Sequence, residues 1–303
     1  MKVVSIITVN YNHSYLTDDL LLSIQQKNSY PACEIIVVDN ASTDNPVPAW
    51  REKYPGVTFI RSEENLGFAG GNNLGVKAAK GDYLFFVNND TVFTENLVSL
   101  LVQTLEQHPQ VGMVSPKLLY YDRPEMLQYA GFTNMNYFTA RNACIGQYEI
   151  DRGQYDNKVG KTGFAHGAAM MVKREAIDKA GLMAENFFLY YEELDWCERI
   201  MRAGYEIWVN MKACIYHKES ISVGKQSAMK EYFMNRNRIL FIRRNAPWWK
   251  ALVFYIYFLV IVTPRNLAAY LRSGNKAFIR QLRRAIWWNI TNDVNSPELG
   301  FRA

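Results

Sequence analysis

The sequence predicts an α/β fold: a mostly parallel, open sheet with flanking helices, followed by a helical, basic C-terminal arm. Three observations lead there. Short apolar runs alternate with helically spaced segments through the first 120 residues, the pattern of βαβ units. Polar clusters follow the apolar runs, at the strand ends where such sheets bind ligands. The charge is also divided: residues 225–303 hold 14 Lys and Arg against 3 Asp and Glu, or +11, while residues 1–224 carry −6.

Taken in order, residues 3–9 read as a buried strand and 17–26 as its following helix. Residues 34–38 are a second strand, 48–54 a short helix and 57–60 a third strand. Residues 70–80 are helical in pattern despite their glycines, and Tyr83–Val87 is a fourth strand. Leu97, Leu100, Leu101 and Leu105 give 95–107 a helical stripe. Residues 121–160 show no clean period and read as an irregular excursion. Residues 164–172 are a candidate strand, 187–203 pass from an aromatic run into a helix, and 205–209 and 213–216 are two short strands. This divides the chain into a domain over 1–224, with a first half to about 120 and a second half beyond, and a helical region over 225–303.

Composition narrows the function classes. At 303 residues, 49% hydrophobic and 21% charged, the chain is neither disordered nor collagen-like. Cys33, Cys144, Cys197 and Cys214 are scattered without a C-x-x-C pair, which argues against a disulfide scaffold or zinc ribbon and for a reducing, cytoplasmic setting. Asn10 and Asn12 interrupt the opening apolar run, so no secretory leader is expected.

The strand ends carry Asn10-Tyr11-Asn12, Asp39-Asn40-Ala41-Ser42-Thr43-Asp44, the stretch from Arg61 to Asn73, and Asn88-Asn89-Asp90. Each alone is ordinary turn chemistry. Four on one rim favour a nucleotide site.

With Val37-Val38 before Asp39, with Asn65-Leu66-Gly67-Phe68-Ala69-Gly70-Gly71-Asn72-Asn73, and with Asn88-Asn89-Asp90, residues 1–220 resemble the family 2 glycosyltransferases of GT-A (Rossmann-like) fold, rhamnosyltransferases in particular. The resemblance implies nucleotide contacts from Asn10, Asp39, Asn65, Gly67, Phe68, Gly70, Asn72, Asn88 and Asn89, with Asp39 accepting from the base. Glycines 67, 70 and 71 are expected to admit the nucleotide where a Cβ would collide. Asp90, the one acid of its triplet, and His217 are the implied ligands of Mn²⁺ or Mg²⁺. Tyr190-Tyr191-Glu192-Glu193-Leu194-Asp195 resembles the segment that carries the catalytic base, leaving Glu193 and Glu192 as the two candidates. His166, Asp195 and Arg236 are expected near donor or acceptor, Asp195 also as an orienting group and Arg236 as a phosphate ligand.

The implied reaction is inverting transfer of rhamnose or a similar sugar from a dTDP- or UDP-sugar to a bacterial surface-glycan or lipid-linked acceptor. A non-catalytic sugar-nucleotide-binding or membrane assembly protein is the alternative, and a nucleotidylyltransferase a remoter one, since no basic glycine-rich loop follows the first strand. In the arm, the twelve apolar residues 251–262 are too short to span a bilayer and end at Pro264. Trp248-Trp249, Trp287-Trp288 and the basic residues suit a helix lying on the inner face of the cell membrane, or else a homo-oligomer interface. Nucleic acid is not expected as a partner, because no binding fold accompanies the charge.

Overall fold

The computed structural model describes residues 1–219 and 227–301. The expected boundary at 224/225 lies outside the described residues. The first half alternates as anticipated: β1 (Val4–Asn10), α1 (Ser14–Lys27), β2 (Cys33–Asp39), α2 (Val47–Lys53), β3 (Val57–Arg61), α3 (Gly67–Ala78) and β4 (Tyr83–Val87). These strands lie parallel in the order β3-β2-β1-β4, with Val4 opposite Cys33 and Tyr83. β4 is buried along its whole length and β1 nearly so, which is why they read as unbroken apolar runs.

Beyond β4 the chain adds β5 (Thr91–Phe93), α4 (Leu97–Gln107), β6 (Val111–Tyr120), β7 (Leu127–Tyr129), β8 (Val159–Lys161), β9 (Ala169–Lys173), α5 (Arg174–Ala180), α6 (Glu192–Arg202) and β10 (Glu206–His217). The main sheet order is β3-β2-β1-β4-β9-β6-β10-β5. This half is mixed rather than mostly parallel: β9 runs antiparallel to both β4 and β6, and β5 antiparallel to β10. The cause is the excursion over 121–168, which delivers the chain to the carboxyl end of β4, so β9 must run back down beside it.

Two further differences share one cause. β6 is a fully buried ten-residue strand that the sequence hides, because Pro116 and Lys117 interrupt its apolar pattern. The pairing of β10 with β6 shifts register between Asn210 and Cys214, opposite Pro116 and Lys117. That irregularity accommodates a residue without an N–H, and it joins what reads as two short strands into one. Lys117 is tolerated inside because its ammonium meets Asp151 at 2.7 Å and Asp156 at 2.6 Å. The strand expected over 164–172 begins only at Ala169.

The C-terminal region is helical: α7 (Ala228–Asn245), α8 (Trp248–Tyr257), a π turn over Phe258–Val262, α9 (Thr263–Arg272) and α10 (Lys276–Thr291). Ile239 to Ile242, Phe254, Phe258, Val262, Leu282 and Trp288 share one core with Phe187, Trp196 and Ile200 of the preceding part. The apolar run does not stop at Pro264. The π turn ahead of it loosens the helix where the proline lacks a donor, and Trp248–Arg272 forms one helix of 25 residues that holds an 18-residue stretch of mean hydropathy 1.6. By length and composition it could cross a membrane, which corrects the expectation that it is too short. One stripe, Ala251, Phe254, Phe258 and Val262, is buried on the protein. Leu252, Ile256, Leu259 and Val260 are each more than half exposed, from 53% to 67%.

Candidate functional site

The pairing of strand ends builds the site. β5 and β10 pair so that His217 lies opposite Thr91, and the Lys218 N–H donates to the Asp90 carbonyl at 2.8 Å. Asp90 and His217, 127 positions apart, are thereby brought together on the wall of a cleft of about 360 Å³. Asn65, Gly67, Phe68, Asn88 and Asn89 also line it, with Tyr190 on the far side.

Asp90 Oδ1 and His217 Nε2 are 3.1 Å apart, and both atoms are buried without a hydrogen-bond partner among the described residues. His217 Nδ1 lies 2.8 Å from Gln128 Oε1. An amide oxygen only accepts, so the Gln128 contact places a proton on Nδ1 and turns Nε2 towards Asp90. A carboxylate oxygen and an imidazole nitrogen facing each other this closely are held either by a proton on Nε2 or by a divalent cation, and both are ligand types that such a cation takes. No cluster of three or more His, Cys, Asp or Glu ligands occurs among the described residues, so this pair would need phosphate or water oxygens to complete a coordination sphere.

Asn10 and Asp39 stand behind the cleft rather than on it, and both are 0% exposed. Asp39 accepts from Asn10 Nδ2 at 2.9 Å, from the Ser42 hydroxyl and N–H at 2.5 and 3.3 Å, and from Arg61. All its lone-pair directions are occupied, so a base can reach it only by displacing Arg61, its half-buried partner. Asn10 ties the strand ends together: its Oδ1 accepts from Thr17 at 3.1 Å and from Asn89 at 3.2 Å. Asn72 also lies inside, its amide donating to the Phe68 carbonyl at 2.9 Å.

The glycines serve a different purpose from the one expected. A Cβ on Gly70 would meet Leu66 at 2.7 Å and one on Gly71 would meet Val9 at 2.8 Å, so both let α3 press against its surroundings. Gly67 has φ +69°, and a Cβ there would strike the Phe188 carbonyl oxygen at 2.3 Å. These contacts are with protein, not with an open ligand space.

Phe188 belongs to a loop over 186–191 in which Phe188, Tyr190 and Tyr191 all take left-handed φ angles of 64° to 73°. Such backbone persists only where its surroundings enforce it. Asn237, 0% exposed on α7, donates its amide to the carbonyls of Phe187, Leu189 and Tyr190 at 2.8–2.9 Å. Arg236 donates to the Asn186 carbonyl and to Asn237 Oδ1, and stacks over Trp288 at 4.1 Å. It is 0% exposed, so it is not the phosphate ligand expected; it clamps the loop. Asn237 is the residue that the sequence reading missed, although it stands directly beside the arginine singled out there.

Glu192 and Glu193 follow this loop at the start of α6. One carboxylate oxygen of each is buried without a hydrogen-bond partner among the described residues. Burial pushes Glu192 well above the usual carboxylate range, and the neighbouring Glu193 adds to the rise. Burial raises Glu193 too, but backbone N–H groups around Glu193, Leu194 and Tyr191 oppose it. Glu193 lies against the His166 segment, 3.6 Å from where a Gly167 Cβ would stand. His166 accepts from the Ala168 N–H at 3.1 Å, and its ring lies 6.2 Å from that of His217. Burial, then His217, push its pKa down to about 3, so the imidazole is neutral. Asp195 is 0% exposed and bonded to Arg199, Arg244 and Asn245 at 2.9–3.0 Å; it anchors α6 to α7 and does not reach the cleft.

The site is thus a polar cleft across the strand ends of an α/β sheet, with a carboxylate and imidazole pair on one wall and buried carboxyls beyond. Residues 5–181 match Glycosyl transferase family 2, and the chain belongs to that family. It is 22% identical over 271 residues to the N-acetylglucosaminyl-diphospho-decaprenol L-rhamnosyltransferase of Mycobacterium tuberculosis, covering 82% of this chain and 87% of that one. In fold it is similar to GalNAc-T7 with UDP, GalNAc and Mn²⁺, with a TM-score of 0.66 at 14% identity over 95% of this chain. It spans 56% of that structure's length. It is also similar to the mannosyltransferase PcManGT from Pyrobaculum calidifontis in complex with GDP-Man and Mn²⁺, with a TM-score of 0.56 at 17% identity, covering 96% and 87% of the two chains.

The carboxyl pair makes stability depend on pH. A carboxyl whose folded pKa lies above its ordinary 4.5 keeps a proton that the unfolded chain loses. Its relative stability is full below the unfolded value and is lost as pH rises towards the folded one. The Tm of Glu192→Gln relative to the parent should therefore climb in EDTA as the pH rises above the ordinary 4.5. A difference that does not change with pH would show that Glu192 ionises normally.

Proposed function

We propose that the protein is an inverting, metal-dependent glycosyltransferase that moves rhamnose or a similar hexose from a dTDP- or UDP-sugar to a lipid-linked or glycan acceptor at the cytoplasmic face of a bacterial membrane. The observation that carries the reading is the facing, unpartnered pair of Asp90 Oδ1 and His217 Nε2 on the cleft wall. The related rhamnosyltransferase is named for a diphospho-decaprenol acceptor, and both structural neighbours were solved with Mn²⁺. On this reading residues 1–120 form the nucleotide half, 121–224 the acceptor and catalytic half, and 225–303 a supporting, membrane-associating region.

Asp90 and His217 would hold Mn²⁺ or Mg²⁺, which when bound offsets the charge that builds on a departing diphosphate. Asn65, Gly67, Phe68, Asn88 and Asn89 would frame the nucleotide, with Asp39 accepting from the base once Arg61 yields. Glu193 is the base that takes the acceptor hydroxyl's proton. Backbone N–H groups around it favour the charged form, while burial and the neighbouring carboxyl favour a proton on Glu192. UDP or dTDP should raise the Tm only with Mn²⁺ present, and His217→Ala should abolish that rise. Full activity in EDTA would refute the metal role.

Glu193→Gln should lower turnover by about 10²–10⁴ with donor affinity nearly intact. Near-normal turnover in that variant beside an inactive Glu192→Gln would reverse the two roles.

The exposed face of the 25-residue helix, with the exposed Trp248, Trp249 and Trp287 and the arm's basic residues, supports a seat on an anionic leaflet. Replacing Leu252, Ile256 and Val260 together by Ser should release the protein from phosphatidylglycerol vesicles. Unaltered vesicle binding with a smaller mass in solution would instead mark the face as an oligomer contact.

A further inference from the structure

A second cavity of about 510 Å³ adjoins the cleft, and Ser227 lines both. The left-handed loop divides them. Tyr190 lines the cleft and its neighbour Tyr191 the second cavity, directly ahead of Glu192 and Glu193. α7, α9, α10 and the segment 140–142 complete the walls.

The chemistry of this cavity is cationic. Arg141, Lys230 and Arg238 stand on its wall, and among the described residues none of them forms an ion pair. The one acid on the wall among the described residues, Glu231, is engaged by the Tyr270 hydroxyl and the Asn235 amide. Two buried donors, Arg238 Nε and Asn142 Nδ2, have no hydrogen-bond partner among the described residues. Three cations and two orphaned donors around one space call for a multiply charged anion rather than a neutral sugar alone.

The second feature is apolar. The helix that gives Asn266 and Tyr270 to the wall carries the exposed Leu252, Ile256, Leu259 and Val260 in its preceding turns. Arg238 sits 5.7 Å from the Phe258 ring of the same helix. An anion site and a hydrocarbon-compatible surface therefore share one element.

We propose that this cavity binds the diphosphate of an amphiphilic acceptor on Arg141, Lys230 and Arg238, with its hydrocarbon chain along the exposed face of the 25-residue helix; the proposal rests on the transferase reading above. It gives the acceptor a place on the opposite side of the glutamate-bearing loop from the donor.

The probes are farnesyl diphosphate, farnesol and phosphatidylglycerol vesicles. Each is titrated calorimetrically into the full chain with excess UDP, dTDP, GDP and Mn²⁺ filling the donor cleft. Farnesyl diphosphate should bind, farnesol at least about tenfold more weakly, and Arg141→Gln/Lys230→Gln should weaken farnesyl diphosphate by about tenfold or more. Arg141→Lys/Lys230→Arg should restore binding, which separates charge from folding. Unchanged affinity in the Gln variant, equal binding of farnesol, or loss of binding when nucleotide is present would overturn the proposal. Vesicles that displace farnesyl diphosphate through the same two residues would overturn it in favour of a lipid headgroup. A chain that binds nucleotide with Mn²⁺ but not farnesyl diphosphate loses this inference alone. One that binds farnesyl diphosphate but no nucleotide keeps the cavity assignment and loses the transferase reading.

Discussion

The antiparallel register of β5 on β10 is the constraint on which the site depends. It sets His217 opposite Thr91 and so turns the imidazole towards Asp90. β5 is only three residues long, too short to hold its own position. It is fixed by the Phe93 N–H donating to Ser23 on α1 at 3.1 Å, while Gln128 on β7 fixes the ring proton of His217. Along β10 the irregularity between Asn210 and Cys214 sets which side chains face the rim. A slip of one residue there would point His217 to the other face of the sheet.

The second constraint is the hold of α7 on the loop over 186–191. Three left-handed non-glycine residues would cost about 1–3 kcal/mol each if left to themselves. The buried Asn237 amide offsets this by satisfying three carbonyls that the loop turns inwards. Arg236 can be buried beside it because Trp288 covers its face and the Asn186 carbonyl takes an N–H. The arm is thus a structural part of the cleft as well as an outer surface: the side chains that shape the Tyr190 wall come from beyond residue 227.

What was legible in the sequence follows from how each element is satisfied. β1 and β4 read clearly because strands in a covered parallel sheet are apolar along their length. β6 did not, because its interruption at Pro116 and Lys117 is resolved by an irregularity in another strand and by Asp151 and Asp156 more than thirty residues away. Asp90 and His217 could be singled out as polar residues at strand ends, but their meeting depends on a pairing no local pattern shows. The glycines were recognised as necessary, yet what crowds them is Leu66, Val9 and Phe188. Arg236 read as a phosphate ligand because nothing local announces burial under an aromatic contributed 52 residues later.

The loop also explains why two adjacent glutamates can differ. Both are buried, so desolvation alone would raise both and leave them equivalent. The left-handed turn at Tyr191 starts α6 immediately afterwards, and the first free N–H groups of that helix fall around Glu193. Charge placed on Glu193 is therefore held by three backbone N–H dipoles, whereas charge on Glu192 meets burial and its neighbour with its own N–H in opposition. The same turn that separates Tyr190 from Tyr191 into two cavities thus also separates the two carboxyls electrostatically. An Asn237 that let the loop relax would blur both distinctions at once, which ties the chemistry of the pair to a side chain that touches neither of them.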